Sequence, residues 1–182
     1  LISGWDNGIV SVVKSYEPNR DLITQVKNSA GAVTISQYDY LNDAIGRRTS
    51  VKNSGTAFDP VGNQFNLYNY NTRSELTNAV RYFGSNIAVT TNPVLGQAWG
   101  YVYDNIGNRK NALEGTAEES PSSYTANNLN QYTQRAVSDA IEVMGSVNTG
   151  TTVTVNNQAV TRQGNHYWHR GFSVSNDAEA VY

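Results

Sequence analysis

Hydrophobic and polar residues alternate with a period of two along much of the chain, and the aromatic residues make this alternation most visible. Pairs of tyrosines two positions apart occur at Tyr38 and Tyr40, at Tyr68 and Tyr70, and at Tyr101 and Tyr103. Residues two positions apart on a β-strand lie on the same face of the sheet. Each pair therefore predicts a strand with an aromatic face.

A polar turn follows two of these aromatic segments. The turns run from Asp43 to Gly46 and from Asp104 to Gly107. An aspartate carboxylate can accept hydrogen bonds from backbone N–H groups of its own turn, and glycine adopts a positive φ without steric cost. The chain then returns through Arg48 or Arg109, which we expect to lie opposite the aromatic strand and to stack on a tyrosine ring. The pattern predicts antiparallel hairpins.

The strand–turn–strand pattern recurs along the chain at irregular intervals of roughly 20 to 33 residues, as in repeat proteins. The five copies cover residues 16–26, 38–51, 68–79, 99–109 and 124–132. The first and third copies lack the glycine, so we expect them to be degenerate. Because one hairpin cannot bury a hydrophobic face alone, we expect neighbouring copies to form a continuous sheet. We predict that residues 1–136 form this repeat region.

The residue pattern changes after this region. Residues 137–182 contain four or five short strand-like segments separated by Asn and Gly turns, without the tyrosine pairs. This spacing is typical of a small β-sandwich or meander. We predict a small β module there, which is either truncated or packed on the repeat region because it is short for an independent domain.

The composition favours the same fold class. The chain has 182 residues, with 12 Tyr against 4 Phe and only 15% charged residues. Little Leu and Ala combined with much Val, Thr and Tyr disfavours helices and favours strands. We therefore expect an all-β protein, in which antiparallel hairpin repeats form a curved sheet and a small sandwich-like module follows.

Charge and cysteine content exclude several function classes. The net charge is −2 and no basic stripe is present, so we expect no nucleic-acid partner. Zero cysteines exclude disulfides and thiolate chemistry. The chain begins at Leu1 without an initiator Met and ends at Tyr182 within a strand-like pattern. We interpret it as a fragment of a longer protein.

The copies around Asp43 and Asp104 resemble the YD repeat of the Rhs family. The repeat reads tyrosine, any residue, tyrosine, aspartate, two variable residues, glycine, asparagine or arginine, and arginine, and Tyr101 to Arg109 matches every defined position. Leu41 and Asn42 displace the second tyrosine in the earlier copy. The resemblance covers about residues 14–135, and the tail is similar to a small immunoglobulin-like module found among such repeats. It implies a long β-sheet strip that forms a hollow shell, which in some members encloses a C-terminal effector.

Catalytic and metal sites find little support in the sequence. Asp43 belongs to a repeated turn, no Ser lies in a Gly-x-Ser-x-Gly segment, and phosphate-binding glycine loops are absent. His166 and His169 are the only histidines. Residues three apart on a strand face opposite sides, so we expect a partly exposed strand pair rather than a metal site. We expect no enzymatic activity, no cofactor and no metal.

Carbohydrate binding is the alternative function. Shallow sugar sites combine aromatic rings with amide and carboxylate groups, in which this chain is rich. The candidate ligand contacts are Trp99, Tyr167 and Trp168, and Trp168 is favoured because it lies outside the repeats. The competing interpretation is that the recurring aromatics form ladders that stabilise the sheet, worth ~0.2–1 kcal/mol per cross-strand pair.

The sequence as a whole predicts a non-catalytic structural segment of a secreted or cell-surface Rhs-type protein. Twelve residues carry the repeat: Tyr38, Tyr40, Asp43, Gly46, Arg48, Tyr68, Tyr70, Tyr101, Tyr103, Asp104, Gly107 and Arg109. We expect an extracellular or bacterial-surface location. The expected partners are further repeats of the same polypeptide and a C-terminal effector, with polysaccharide as the alternative and self-association through exposed sheet edges.

Overall fold

A computed structural model describes residues 1–115 and 121–174 and places most of them in antiparallel β-strands. Eleven strands, β1 to β11, are hydrogen-bonded in the order of the sequence. They are β1 Gly4–Asp6, β2 Val10–Tyr16, β3 Ile23–Ala30, β4 Val33–Asn42, β5 Arg48–Ser54, β6 Gln64–Tyr70, β7 Leu76–Phe83, β8 Pro93–Tyr103, β9 Arg109–Gly115, β10 Ser122–Ala126 and β11 Tyr132–Arg135. The expected all-β fold built from antiparallel hairpins is confirmed.

A β-bulge lies close to the turn in several hairpins. The register of β4 on β5 passes from Leu41 opposite Ser50 to Asn42 opposite Arg48, which leaves Thr49 as the extra residue. The same shift occurs between β8 and β9, between β10 and β11, and between β2 and β3. A bulge increases the local twist of the strands. The recurrence shows that the hairpins share their backbone geometry as well as their sequence pattern.

The first of two compact units comprises residues 1–68 and 81–93. Its largest fully buried side chain is Phe65, with 0% exposure, which stacks on Tyr82 with ring centroids 5.3 Å apart. A short 3₁₀ helix, Thr56–Phe58, follows β5. Several polar residues of this unit are also buried, and the Oδ1 atom of one of them, Asn66, accepts a hydrogen bond of 3.2 Å from Arg81 Nε.

The second unit comprises residues 69–80 together with the described residues from 94 onward. After β11 the chain forms a three-stranded sheet in the order β12, β16, β15 and a two-stranded ribbon of β13 and β14. The strands are β12 Ala140–Ser146, β13 Thr154–Val155, β14 Gln158–Ala159, β15 Thr161–Gln163 and β16 Tyr167–Ser173. The expected module boundary near residue 136 and its immunoglobulin-like character stay predictions, and residues 175–182 of that module lie outside the described residues.

Strand β8 packs against this small sheet. The Tyr167 hydroxyl donates to the Leu95 carbonyl at 2.6 Å, and the Leu95 N–H donates to Gln163 Oε1 at 2.8 Å. Gly96, with φ +74°, lies so close that a Cβ atom there would be 2.6 Å from Met144 Cε. Only glycine fits both the backbone angle and the space. In the described part of the chain, no helix has the length and apolar character needed to cross a membrane.

Candidate functional site

One hydrogen-bonded turn recurs in four hairpins and contains the predicted aspartates and glycines of the repeat, Asp43, Gly46, Asp104 and Gly107. The N–H of its first residue donates to the carbonyl of its fifth, and the N–H of its fourth residue donates back to the first carbonyl. The four turns are Asp43–Arg47, Asn71–Glu75, Asp104–Asn108 and Asn127–Gln131. Three loop residues with a left-handed last residue form a standard hairpin connection. The first residue of each turn directly follows the last residue of the preceding strand.

The predicted roles of aspartate and glycine in this turn are observed. Asp104 Oδ1 accepts hydrogen bonds from the N–H groups of Ile106 and Asn108, at 3.0 and 2.8 Å. Asp43 has the same arrangement, and Gly46 and Gly107 adopt φ angles of +91° and +94°. Desolvation raises the pKa of both carboxyls, but hydrogen bonds from the side chain and the backbone of the fifth residue outweigh it and lower the pKa.

The third and fifth copies keep this turn with different residues. Asn71 and Asn127 replace the aspartate and accept the same two backbone hydrogen bonds. Ser74 and Asn130 occupy the glycine position with φ angles of +66° and +61°. The absence of glycine predicts a degenerate third copy, but the structure keeps the turn there. A sequence signal for this turn is an Asn followed four residues later by a side chain that can accept a hydrogen bond from it. Here Asn71 Nδ2 donates to the Glu75 carboxylate.

A tyrosine lies three residues before each of these turns, and an arginine lies over the ring of Tyr40, of Tyr101 and of Tyr124. The Arg48 guanidinium carbon is 3.9 Å from the Tyr40 ring centroid, and that of Arg109 is 4.5 Å from the Tyr101 centroid. The predicted stacking is therefore observed. Burial raises the pKa of both tyrosines, while the nearby guanidinium opposes this. Each arginine–tyrosine pair joins the two strands of its own hairpin, β4 and β5 for Arg48 and Tyr40, and β8 and β9 for Arg109 and Tyr101.

Two further repeat tyrosines make contacts within their own units. Tyr38 stacks on Tyr40 with centroids 6.5 Å apart, and the Tyr103 hydroxyl donates to the Leu76 carbonyl at 2.9 Å. Tyr68 and Tyr70 lie on β6. When the turns are aligned, Tyr40 corresponds to Tyr101, so Tyr38 corresponds to Trp99. This correspondence follows from the turn geometry and differs from an alignment on the tyrosine pairs.

Arginines connect neighbouring turns within each unit. Arg20 pairs with Glu17 in the loop between β2 and β3. Its Nη1 atom donates to the Asp43 and Ala44 carbonyls of the Asp43–Arg47 turn, at 2.8 and 3.0 Å. In the second unit, Arg73 pairs with Glu75 and donates to the Asp104 carbonyl. The turns therefore lie side by side, and their charged groups are largely satisfied by each other.

A cavity of about 300 Å³ lies in the second unit beside Trp99. Its polar and aromatic lining comprises Trp99, Glu114, Ser122, Arg135, Ser138 and Glu142. These residues come from β8, β9, β10, β11, the segment before β12, and β12 itself. Small residues of the lining, such as Gly96, Ala112 and Gly115, leave the space open. The cavity thus combines an indole, two carboxylates, a guanidinium and two hydroxyls.

A buried pair of ionisable side chains lies at the edge of this cavity. His169 Nε2 contacts Glu142 Oε2, and the two side chains are only 8% and 11% exposed. Burial lowers the pKa of His169, although the Glu142 carboxylate opposes the shift. The expectation of a partly exposed histidine pair is therefore wrong for His169. His166 lies outside the strand, with Nδ1 3.1 Å from the Val147 carbonyl oxygen.

The three candidate ligand contacts have different surroundings. Tyr167 is 5% exposed and its hydroxyl is bonded to Leu95. The Trp168 indole lies directly against Gly145, where a Cβ atom would be 2.9 Å from Trp168 Cζ2. Within the part of the chain that the structure describes, only Trp99 of the three lines the 300 Å³ cavity.

Comparison with known proteins gives no family assignment. No protein-family model matches the sequence, and no curated protein matches it. Among residues 1–115 and 121–174, no three His, Asp or Glu side chains are grouped as metal ligands. Function must therefore be argued from the repeated turn and the Trp99 cavity.

Proposed function

We propose that this chain is a non-catalytic structural segment of a secreted or cell-surface protein of the Rhs, or YD-repeat, type. Its hairpins would form part of the wall of a β-shell of the kind that, in some members of that family, encloses a C-terminal effector of the same polypeptide. The single observation that carries the proposal is the turn that recurs in four hairpins with the same set of hydrogen bonds.

Repetition of this kind favours a structural role. A catalytic residue acts at one place in a molecule, whereas a residue that stabilises a repeat, or its contact with the next repeat, recurs with that repeat. Asp43 and Asp104 make equivalent hydrogen bonds to their own turns. Arg48 and Arg109 make equivalent ring contacts. The chemistry-bearing residues of the repeats are thus explained by the stability of the sheet.

The stacking of turns supports a wall rather than a set of independent hairpins. Arg20 reaches from one turn to the carbonyls of the next, and Arg73 does the same in the second unit. An arginine that bridges two copies adds hydrogen bonds between them, so each further hairpin is stabilised by the one before it. A long sheet can be extended in this way without a large hydrophobic core.

The proposal is tested on the full-length polypeptide that carries this segment, expressed in its native cells. We expect surface or extracellular fractionation and a protease-resistant band that contains the segment. Gly107→Val should make the segment protease-sensitive, because a β-branched residue is strongly disfavoured at φ +94°. Gly171→Ala is the control, since its Cβ atom would have its nearest neighbour at 3.8 Å.

Two results would contradict the proposal. One is retention of the full-length protein in the cytoplasm. The other is catalytic turnover by the purified chain that Glu142→Gln abolishes while the fold, measured by circular dichroism, is unchanged.

A further inference from the structure

We propose that the cavity beside Trp99 binds a neutral hexopyranose unit of a polysaccharide. This goes beyond the structural role and does not depend on it, because the cavity belongs to the second unit and not to the repeated turns. The inference rests on the shape of the cavity, on the position of Trp99 and on the kind of polar groups around it.

The size of the cavity suits a small polar ligand. Its volume of about 300 Å³ lies at the lower end of the range of roughly 300–1,000 Å³ that is usual for small-molecule sites. A site of this size holds one or two sugar rings. Its lining mixes apolar and polar atoms, as a pyranose does with its C–H faces and hydroxyl rim.

Trp99 departs from the pattern of the repeats in a way that points to a ligand. Its counterpart in the earlier copy is Tyr38, whose ring is covered edge-on by Phe58 with centroids 5.8 Å apart and an interplanar angle of 87°. In the second unit the same strand position carries the larger indole, and this indole lines a cavity. The negative face of an aromatic ring attracts the weakly positive C–H groups of a sugar face.

The polar groups around Trp99 match the hydroxyl rim of a sugar. Glu114 and Glu142 offer carboxylate acceptors, Arg135 offers guanidinium donors, and the Ser122 and Ser138 hydroxyls can both donate and accept. Adjacent sugar hydroxyls are donors and acceptors at fixed spacing, so they suit such a mixed set. The contact with His169 holds Glu142 in place, which lowers the entropy cost of binding.

The charge of the lining selects against acidic sugars. Among the described lining residues, two carboxylates face one guanidinium. A uronate or sialate would bring a further negative charge next to Glu114 and Glu142, and like charges repel, most of all beside the largely buried Glu142. A neutral hexose avoids this repulsion and keeps every hydrogen-bonding option.

A second cavity, of about 320 Å³, is lined by Tyr103, Gly107, Arg109, Tyr124 and Tyr132. The residues that line it already contact one another within the repeat region. The Tyr132 hydroxyl accepts a hydrogen bond of 2.7 Å from the Arg109 N–H, and Tyr124 packs on Tyr132 with centroids 5.4 Å apart. These contacts between neighbouring hairpins account for the residues of this cavity, so the assignment stays with Trp99.

The experiment is isothermal titration of the full chain with neutral oligosaccharides, namely maltohexaose, cellohexaose, mannohexaose and β-1,4-galactohexaose, and with hexagalacturonate as the acidic counterpart. We expect saturable binding of at least one neutral hexasaccharide and at least tenfold weaker binding of hexagalacturonate. Trp99→Ala and Glu114→Gln should each weaken neutral binding at least tenfold. Trp5→Phe is the matched control, because Trp5 is 55% exposed on β1, and it should bind as the wild type does.

Each other outcome overturns the proposal. These outcomes are no saturable binding across the neutral panel, binding that persists in both Trp99→Ala and Glu114→Gln, and a preference for hexagalacturonate. Glu114 is an exposed residue of β9, so Glu114→Gln tests the site even if Trp99→Ala fails to fold. Circular dichroism of each variant separates loss of binding from loss of fold.

Discussion

Gly107 offers the sharpest test of the repeated turn. It occupies the fourth position of the turn with a φ of +94°. A Cβ atom there would lie 3.1 Å from Glu75 Oε1, which belongs to the neighbouring turn. Gly107→Ala therefore introduces both backbone strain and a close contact, and we expect it to destabilise the second unit.

The size of the effect follows from these two observations. A left-handed backbone costs a residue with a Cβ atom about 1–2 kcal/mol. Alanine also restricts the unfolded chain, which returns about 0.4–1 kcal/mol. The close contact involves the end of a flexible glutamate, which can move away at little cost. The expected net loss is about 1 kcal/mol, equivalent to a melting temperature about 2–4 °C lower for a chain of this length.

The assay is thermal and urea denaturation followed by circular dichroism, with two comparison variants. Gly107→Asn should lose less than Gly107→Ala, because asparagine tolerates the left-handed region and Asn130 already adopts φ +61° at the equivalent position. Gly171→Ala lies in β16 with ordinary contacts and should not destabilise the protein. Equal losses for Gly107→Ala and Gly107→Asn, or no loss for either, would refute the reasoning.

Two further predictions concern the core and the buried histidine. Phe65→Ala should cost about 3–5 kcal/mol in urea denaturation, since the ring is fully buried against Tyr82, and Phe65→Leu should cost clearly less; equal costs would contradict a packed core. Burial lowers the pKa of His169 below its usual 6.5, so the unfolded state binds a proton more readily than the folded state. Stability should therefore be fully present well above pH 6.5 and fall as the pH is lowered through 6.5 towards the lowered pKa of the folded state, and His169→Gln should remove this part of the slope. An identical pH dependence of melting temperature in the wild type and in His169→Gln would count against the assignment.

The hairpins could be predicted from the sequence because the interactions that form their turns join residues close together in the chain. The hydrogen bonds of the Asp104 turn join residues two to four positions apart. The stacking of Arg109 on Tyr101 follows from the register that this turn imposes. Local interactions of this kind depend on the identity of a few adjacent residues, which the sequence displays directly.

The turn around Asn71 could not be predicted from such local residue patterns. Its backbone bonds are those of the Asp104 turn, but asparagine and a left-handed Ser74 replace the expected pair. A serine at positive φ is uncommon, so the sequence alone favoured a degenerate copy. Arg73 of this turn donates to the Asp104 carbonyl of the next one, and this link between turns becomes visible only in the folded sheet.

The alternation of residues, the composition and the turn residues by themselves determined an all-β chain of antiparallel hairpins. Only the tertiary structure decided which aromatic residue lines a cavity. The bond that ties Tyr167 to Leu95 joins residues 72 positions apart, and the Glu142 contact with His169 links two different strands. Such long-range contacts depend on how whole sheets pack, and many packings are compatible with the same local pattern. For that physical reason the sequence favoured Trp168 as the ligand contact, whereas the structure placed Trp99 beside the open space.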